Sequence, residues 1–471
     1  MIIFRFWRTF CSLPPSPRIW QYRRVHDTPD IADRRDAVCV IGAGASGLAT
    51  IKNLREHGFA VDCYERETSV GGAWNWRHDR SPVYANTHLI SSRPLTEFPD
   101  FPMPDSWPDY PHHSQVLSYL ERYAKHFGLG EHIWFGTEVV SAVPVGDGRW
   151  DVTTRSTGGG SSRVQRYAAL IAANGHNWSP AKPDIPGDFR GTVIHSAQYK
   201  DPAQLRNRKV LVIGGGNTGC DIAVEAAQQA TTVWHSTRRG YWYAPKYIFG
   251  RPADQVNDGL LKWRVPLKLR QWLYRRTLAL TTGDLTRYGL PEPDHKPYES
   301  HPIVNSQLPY YLGHGRIKAV PDVARFAGGQ VELADGRRID PDLVITATGY
   351  APRFEFLAPD LIDTEPDGRP DLHLHSFARK HPTLAVVGLL QPDAGLLPLA
   401  HWQSVAVARW LQLRREDPER AAAVQQKESA RPIPSWSKRR VVASRRHWFE
   451  VDHLAYLKAM DELLREMEPA K

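Results

Sequence analysis

Two glycine clusters are the residues best placed to do chemistry. Gly42-Ala43-Gly44-Ala45-Ser46-Gly47 and Gly214-Gly215-Gly216-Asn217-Thr218-Gly219 share the spacing GxGxxG and stand about 170 residues apart. A phosphate can lie against a helix N-terminus only if the preceding turn is tight and its amides are uncovered, and glycine meets both conditions. The third glycine lets helix and strand pack closely. One such cluster is a weak sign, but two, each after an apolar run and before a helical pattern, are strong. The residues expected to cradle pyrophosphates are Gly42, Gly44, Ala45, Ser46 and Gly47, then Gly214, Gly216, Asn217, Thr218 and Gly219.

The ends of the second strands tell the two nucleotides apart. Glu65 lies 23 residues after Gly42 and is followed by Arg66. Its carboxylate can accept from both ribose hydroxyls of an adenosine, as FAD or NAD requires. The same step from Gly214 reaches Thr237, preceded by Ser236 and followed by Arg238 and Arg239, with no carboxylate. A 2′-phosphate would be repelled by an acid and gripped by an arginine fork, so this site is expected to take NADPH rather than NADH.

The elements that carry these loops are legible in the hydrophobic pattern. Ala37 to Ile41 is an apolar run of buried-strand length, Leu48, Ile51 and Leu54 fall at helical spacing, Gly58 ends the helix, and Phe59 to Tyr64 returns as a strand. The same grammar recurs from Lys209 to His235, with Asp221 and Glu225 expected on the polar side of the helix. Two further apolar runs, Ala169 to Gly175 and Leu343 to Tyr350, end in similar tails and read as exit from and re-entry into the first domain. The prediction is an α/β fold with two Rossmann-like dinucleotide-binding domains. Residues 36–180 and 326–471 would form a discontinuous FAD domain and residues 181–325 an inserted NADP domain, with mixed helix and loop between Tyr241 and Leu308. A charged helical tail begins at Arg414, with a joint at Pro432 and Pro434, and residues 1–35 read as a disordered extension.

Composition excludes several classes. Across 471 residues the mean hydropathy is negative, and no stretch nears the roughly 18 apolar residues of a spanning helix. Stable membrane insertion is not expected. The net charge of +9 is scattered, without the aromatic-interleaved pattern of a nucleic-acid platform. Four cysteines with no CxxC pair imply neither a disulfide framework nor a redox thiol couple, and fit a reducing cytoplasm. Cys39 and Cys63 read as small buried hydrophobes. No metal site is expected, because His112 and His113 should diverge and nothing completes a tetrahedral set. Neither a Ser-His-Asp arrangement nor a paired carboxylate stands out, which suits chemistry done by a cofactor.

Between the two clusters, Phe189-Arg190-Gly191-Thr192-Val193-Ile194-His195-Ser196-Ala197-Gln198-Tyr199-Lys200 resembles the FxGxxxHxxxY(K) signature of class B flavin-containing monooxygenases. Gly71-Gly72-Ala73-Trp74 and Ala347-Thr348-Gly349-Tyr350 resemble further elements of that family, so the likeness spans about Val38 to Trp410. It implies FAD and NADPH as cofactors, and O2 and a small molecule as substrates. One oxygen atom would reach an amine or sulfide through a C4a-(hydro)peroxyflavin. It also implies that His195, Tyr199 and Lys200 act at the joint between domains, that Gly72 and Trp74 meet the flavin, and that Gln403 approaches it from a later helix. A homodimer is among the assemblies the likeness allows. Related Baeyer-Villiger enzymes end the signature with Trp and then Pro or Asp, and Tyr199-Lys200 departs from that toward nitrogen or sulfur oxygenation. Ketone oxidation and an NADPH oxidase without oxygen insertion remain the alternatives. The family's active-site asparagine aligns with Ile90, where Ser91, Ser92 or Asn86 would have to substitute.

Overall fold

The computed structural model describes residues 34–365, 368–429 and 447–468. Strand β1 (Val38–Ile41) is buried throughout, as a central parallel strand covered on both faces must be. The chain turns at Gly42 into α1 (Ala45–Glu56) and returns as β2 (Val61–Tyr64), parallel to β1 with Val38 opposite Val61. After α2 (His113–His126) and β3 (Ile133–Trp134), an antiparallel meander of Thr137–Pro144, Trp150–Ser156 and Arg163–Tyr167 leads to β4 (Ala169–Ala172) on the other side of β1.

The second half repeats this order. It opens with β5 (Thr192–His195), then β6 (Lys209–Ile213), α3 (Asn217–Gln229) and β7 (Thr232–Ser236). Two insertion helices, α4 (Ala253–Lys262) and α5 (Leu267–Thr281), precede β8 (Lys318–Val320). A second antiparallel meander, Val323–Ala327, Gln330–Leu333 and Arg338–Ile339, then leads to β9 (Leu343–Thr346). The sheet runs β8-β7-β6-β9-β5, all parallel.

This placement corrects one expectation. The run at Leu343 does not re-enter the first sheet, because it pairs with β6 and β5 in the second. The chain regains the first sheet only through β10 (Leu372–His373), β11 (Phe377–Ala378) and β12 (Leu384–Val386), in the order β10-β11-β12-β4-β1-β2-β3. The tails after β4 and β9 resemble each other because each crosses its own glycine turn. A side-chain carbon on Gly42 would stand 2.7 Å from the Ala173 carbonyl oxygen, and one on Gly214 would stand 2.3 Å from that of Ala347.

Helix α6 (Leu396–Glu416) packs on α1, where Asn53 donates to the Ser404 hydroxyl at 2.7 Å in the buried interface. Two more helices, α7 (Pro418–Ser429) and α8 (His453–Glu466), complete the described chain. Apolar clusters cover both faces of each sheet. Arg34, expected within the loose extension, is held by Asp62 through two bonds of 2.6 Å. Residues 1–33 and the joint at Pro432 and Pro434 lie outside the described residues. No helix among the described residues is long and apolar enough to cross a membrane.

Candidate active site

The two turns are built alike. Gly42 and Gly214 have φ of +100° and +130°, a region L side chains rarely adopt. Gly47 and Gly219 sit under them: an added side-chain carbon would lie 1.8 Å from the Gly42 oxygen and 2.0 Å from the Gly214 oxygen. Gly44 is different. Its φ is −75°, and a side-chain carbon there would meet Gly72 alone, its Cα at 3.6 Å and its nitrogen at 4.0 Å, ordinary contacts. The protein's own packing therefore does not require glycine at position 44; the space above it is kept bare toward the cleft. No side chain caps α1 or α3, so their first amides are uncovered by side chains.

One cleft of about 2230 Å³ runs past both turns, beyond the roughly 300–1,000 Å³ of a single small-molecule pocket. The first half contributes Gly42, Gly44, Ala45, Ser46, Glu65, Arg66, Gly72 and Trp74 to its wall. Gly214, Gly216, Asn217, Thr218, Ser236 and Arg238 come from the second half.

Glu65 is buried at the end of β2, where its oxygens accept from the Ala43 amide at 2.7 Å and the Glu67 amide at 2.9 Å. Burial pushes its pKa up, and the two amides oppose that. Each oxygen keeps a further lone pair for a ribose hydroxyl. Arg66 stands 3.6 Å from both Glu67 and Glu138. After β7, the Ser236 hydroxyl donates to the Pro321 carbonyl at 2.9 Å, and the Thr237 hydroxyl is buried without a partner among the described residues. Arg238 is exposed in the cleft and forms no ion pair with a described residue. Arg239 turns away to Asp294, at 3.0 and 3.1 Å, so the expected fork of two arginines narrows to one.

The residues of the signature meet elsewhere. His195, Tyr199 and Lys200 do not line the cleft; Tyr199 and Lys200 reach across to the first half, while His195 fastens its own half. The Nδ1 of His195 accepts from the Ala197 amide and its Nε2 donates to the Gly349 carbonyl, both at 3.1 Å, an arrangement that a neutral imidazole satisfies. Burial pushes its pKa down, against the pull of the Gly349 carbonyl. The fully buried Tyr199 donates to Glu225, and its ring lies 5.5 Å from that of Tyr84, which donates to Asp221 at 2.9 Å. Lys200 Nζ donates to the Ser81 and Val83 carbonyls. A strap from Ser81 to Thr87 in the first half is thus fastened to α3 of the second. Asp221 and Glu225, expected on the polar side of the helix, are its anchor points: Asp221 accepts from the Tyr84 hydroxyl and Glu225 from the Asn86 side chain.

Other expectations change as well. Gln403 is fully buried, accepting from the Gly388 amide at 2.9 Å and donating to Tyr456 at 2.8 Å, so it supports the cleft-lining Gly388 rather than reaching the cleft. Gly388 itself was missed; a side-chain carbon there would collide with the Ser46 hydroxyl at 2.1 Å. Ile90 and Ser91 line the cleft, whereas Asn86 is spent on Glu225 and Ser92 on Asp254 and Gln255. The rings of His112 and His113 do not diverge, with centroids 4.1 Å apart, because His112 sits at the N-cap of α2. No group of three or more potential metal ligands occurs among the described residues.

Two Rossmann-like halves opening onto one cleft define a two-dinucleotide oxidoreductase. The chain matches the flavin-binding monooxygenase-like (FMO-like) family over residues 35–470 and belongs to that family. It is 34% identical to flavin-containing monooxygenase 5 of Oryctolagus cuniculus, over 90% of this chain and 81% of the relative. It is 33% identical to dimethylaniline monooxygenase [N-oxide-forming] 2 of Rattus norvegicus, over 79% and 72%. Among solved structures, the OTEMO complex with FAD and NADP aligns with a TM-score of 0.67 at 18% identity, covering 92% of this chain and 98% of that one. The protein is a flavin-dependent monooxygenase.

Proposed function

We propose that the protein uses NADPH and O2 to place one oxygen atom on a soft nucleophile, an amine or a sulfide. One observation carries the reading: both cradles and an apolar chamber share a single continuous cleft, so hydride donor, flavin and substrate meet in one space. The N-oxide-forming activity in the name of the rat relative supports the choice of nucleophile.

FAD is assigned to the turn at Gly42, where bare Gly44 leaves room for a pyrophosphate and Glu65 meets the ribose. NADPH is assigned to the turn at Gly214, where Arg238 lines the cleft and suits a 2′-phosphate. Bound flavin supplies the redox chemistry, taking hydride from NADPH and passing electrons to O2. The chain's own residues bind, orient and exclude water. Trp74, Ile90, Leu396 and Leu397 form apolar wall, and a dry wall protects a reactive oxygen donor from wasteful breakdown. His195 has both ring nitrogens committed and holds the Gly349 turn, so it positions rather than transfers a proton. A cytoplasmic site of action accords with Cys39, Cys63 and Cys220, all buried and in no disulfide among the described residues.

The test is coupling. Purified holoenzyme given NADPH, O2 and either dimethylaniline or methyl phenyl sulfide should form N-oxide or sulfoxide in step with NADPH consumed. Hydrogen peroxide equal to all NADPH consumed, whatever the substrate, would make it an oxidase instead.

A further inference from the structure

The insertion between β7 and β8 presents large apolar side chains to solvent. Helix α5 carries Leu269, Trp272 and Leu280 at 47%, 53% and 85% exposure, and Trp263 stands 81% exposed in the turn that leads into it. Leu269, Trp272, Arg276 and Leu280 follow one another at helical spacing and so share one side of α5. A single exposed leucine is ordinary, but a stripe with one tryptophan on it and another at its head marks an interaction surface. Charge around the stripe has one sign. From Gly259 to Gly283 the chain has six Lys and Arg and no Asp or Glu. Arg270 is buried, whereas Lys262, Arg264, Lys268, Arg275 and Arg276 are exposed. Lys262 pairs with Asp258 at 2.6 Å, and the other four exposed cations meet no carboxylate among the described residues. Arg276 instead lays its guanidinium over the Trp272 ring, 5.7 Å from the centroid.

We infer that α5 docks the protein on an anionic membrane surface, lying in the headgroup plane with Trp263, Leu269, Trp272 and Leu280 turned toward the acyl chains. A helix that sets Trp and Leu beside Lys and Arg is built for that boundary, where the indole sits at headgroup level and the basic stems reach back to lipid phosphates. The unpaired cations supply the charge complementarity, since each gains from a negative surface. At 15 residues α5 is too short to span a bilayer, so it lies on the surface rather than crossing it. Two other occupants fit the stripe less well. A second copy would bring like charges together, and a single-stranded nucleic acid could stack on the tryptophans but would leave Leu269 and Leu280 in water. Leu273 and Thr277, next round the same helix, line the cleft, so docking holds one of its walls beside the lipid phase.

The experiment is co-sedimentation of the FAD-loaded full chain with vesicles of phosphatidylcholine alone or of phosphatidylcholine mixed with phosphatidylglycerol. Affinity should be roughly tenfold or more higher for the mixed vesicles and should fall as salt is raised. Trp272→Ser combined with Leu280→Ser should weaken that binding about tenfold or more, because two large side chains no longer bury. Lys268→Gln combined with Arg275→Gln should weaken it about fivefold per charge. Flavin absorbance and the melting temperature check that these exposed changes leave the fold intact. Failure of the natural chain to sediment with the mixed vesicles, or equal sedimentation of the natural chain and the Trp272→Ser, Leu280→Ser protein, would overturn the docking surface. So would a lipid-free dimer in light scattering that the same double variant splits, which seats a second copy on the stripe. Retention on a single-stranded oligonucleotide that this variant loses, without vesicle binding, would likewise replace the membrane by nucleic acid.

Discussion

Replacing Arg238 by alanine should change which nicotinamide cofactor the enzyme uses while leaving its fold alone. The guanidinium lines the cleft at the end of β7, is exposed, and its removal breaks no ion pair among the described residues. Surface changes of that kind cost within about 0.5 kcal/mol of stability. Hydrogen bonds to a charged phosphate are each worth about 1.5–3 kcal/mol. At 1.4 kcal/mol per factor of ten, NADPH should lose about 10- to 150-fold in kcat/KM. NADH lacks the 2′-phosphate and should change little. Because the interaction exists in ground and transition states alike, the loss should fall on KM with kcat nearly constant. The assay is steady-state turnover with each cofactor at fixed ionic strength, alongside Arg239→Ala. That second variant gives up the Asp294 pair instead and should move the cofactor ratio far less. An equal loss for NADPH and NADH in Arg238→Ala would refute the reasoning.

Two further outcomes follow from the geometry. Gly47→Ala should fail to give folded protein, since its new carbon falls 1.8 Å from a backbone oxygen, whereas Gly44→Ala should fold with a near-natural melting temperature yet bind little flavin. Circular dichroism melts and flavin absorbance check both, and full flavin occupancy in Gly44→Ala would place the pyrophosphate elsewhere. Burial of His453 alone would disfavour its charge, but hydrogen bonds to Asp258 and Asp393 and the pull of Asp393 and Asp452 outweigh it and raise the pKa from 6.5 to about 9. A raised folded-state pKa means stability fully present below about pH 6.5 and lost as pH climbs through about 9, on the order of 3 kcal/mol. His453→Gln should lower the melting temperature at pH 6.5 and flatten its decline toward pH 9; the same slope in both proteins would remove this account.

What could be read from the chain alone was what short segments decide. The glycine turns, their strands and helices, Glu65 and Arg238 follow from spacing within some 25 residues. Misplacements arose where a distant partner decides. Nothing near Leu343 says which sheet it joins, because the Ala-x-Gly tail marks a position within each half and both halves have one. Arg239 is claimed by Asp294 and Asp221 by Tyr84, across 55 and 137 residues that local patterning does not report.

The repeated order of elements in the two halves separates two burdens that usually fall on the same residues. Foldability rests on the positions that recur, the first and third glycines of each turn and the alanine tail lying on them. In the assignment proposed above, choice of guest rests on the few side chains just past β2 and β7, Glu65 and Arg238. Such a scaffold can exchange a permanent lodger for a transient one, or one carrier for another, by changing a doorway while every wall stays in place.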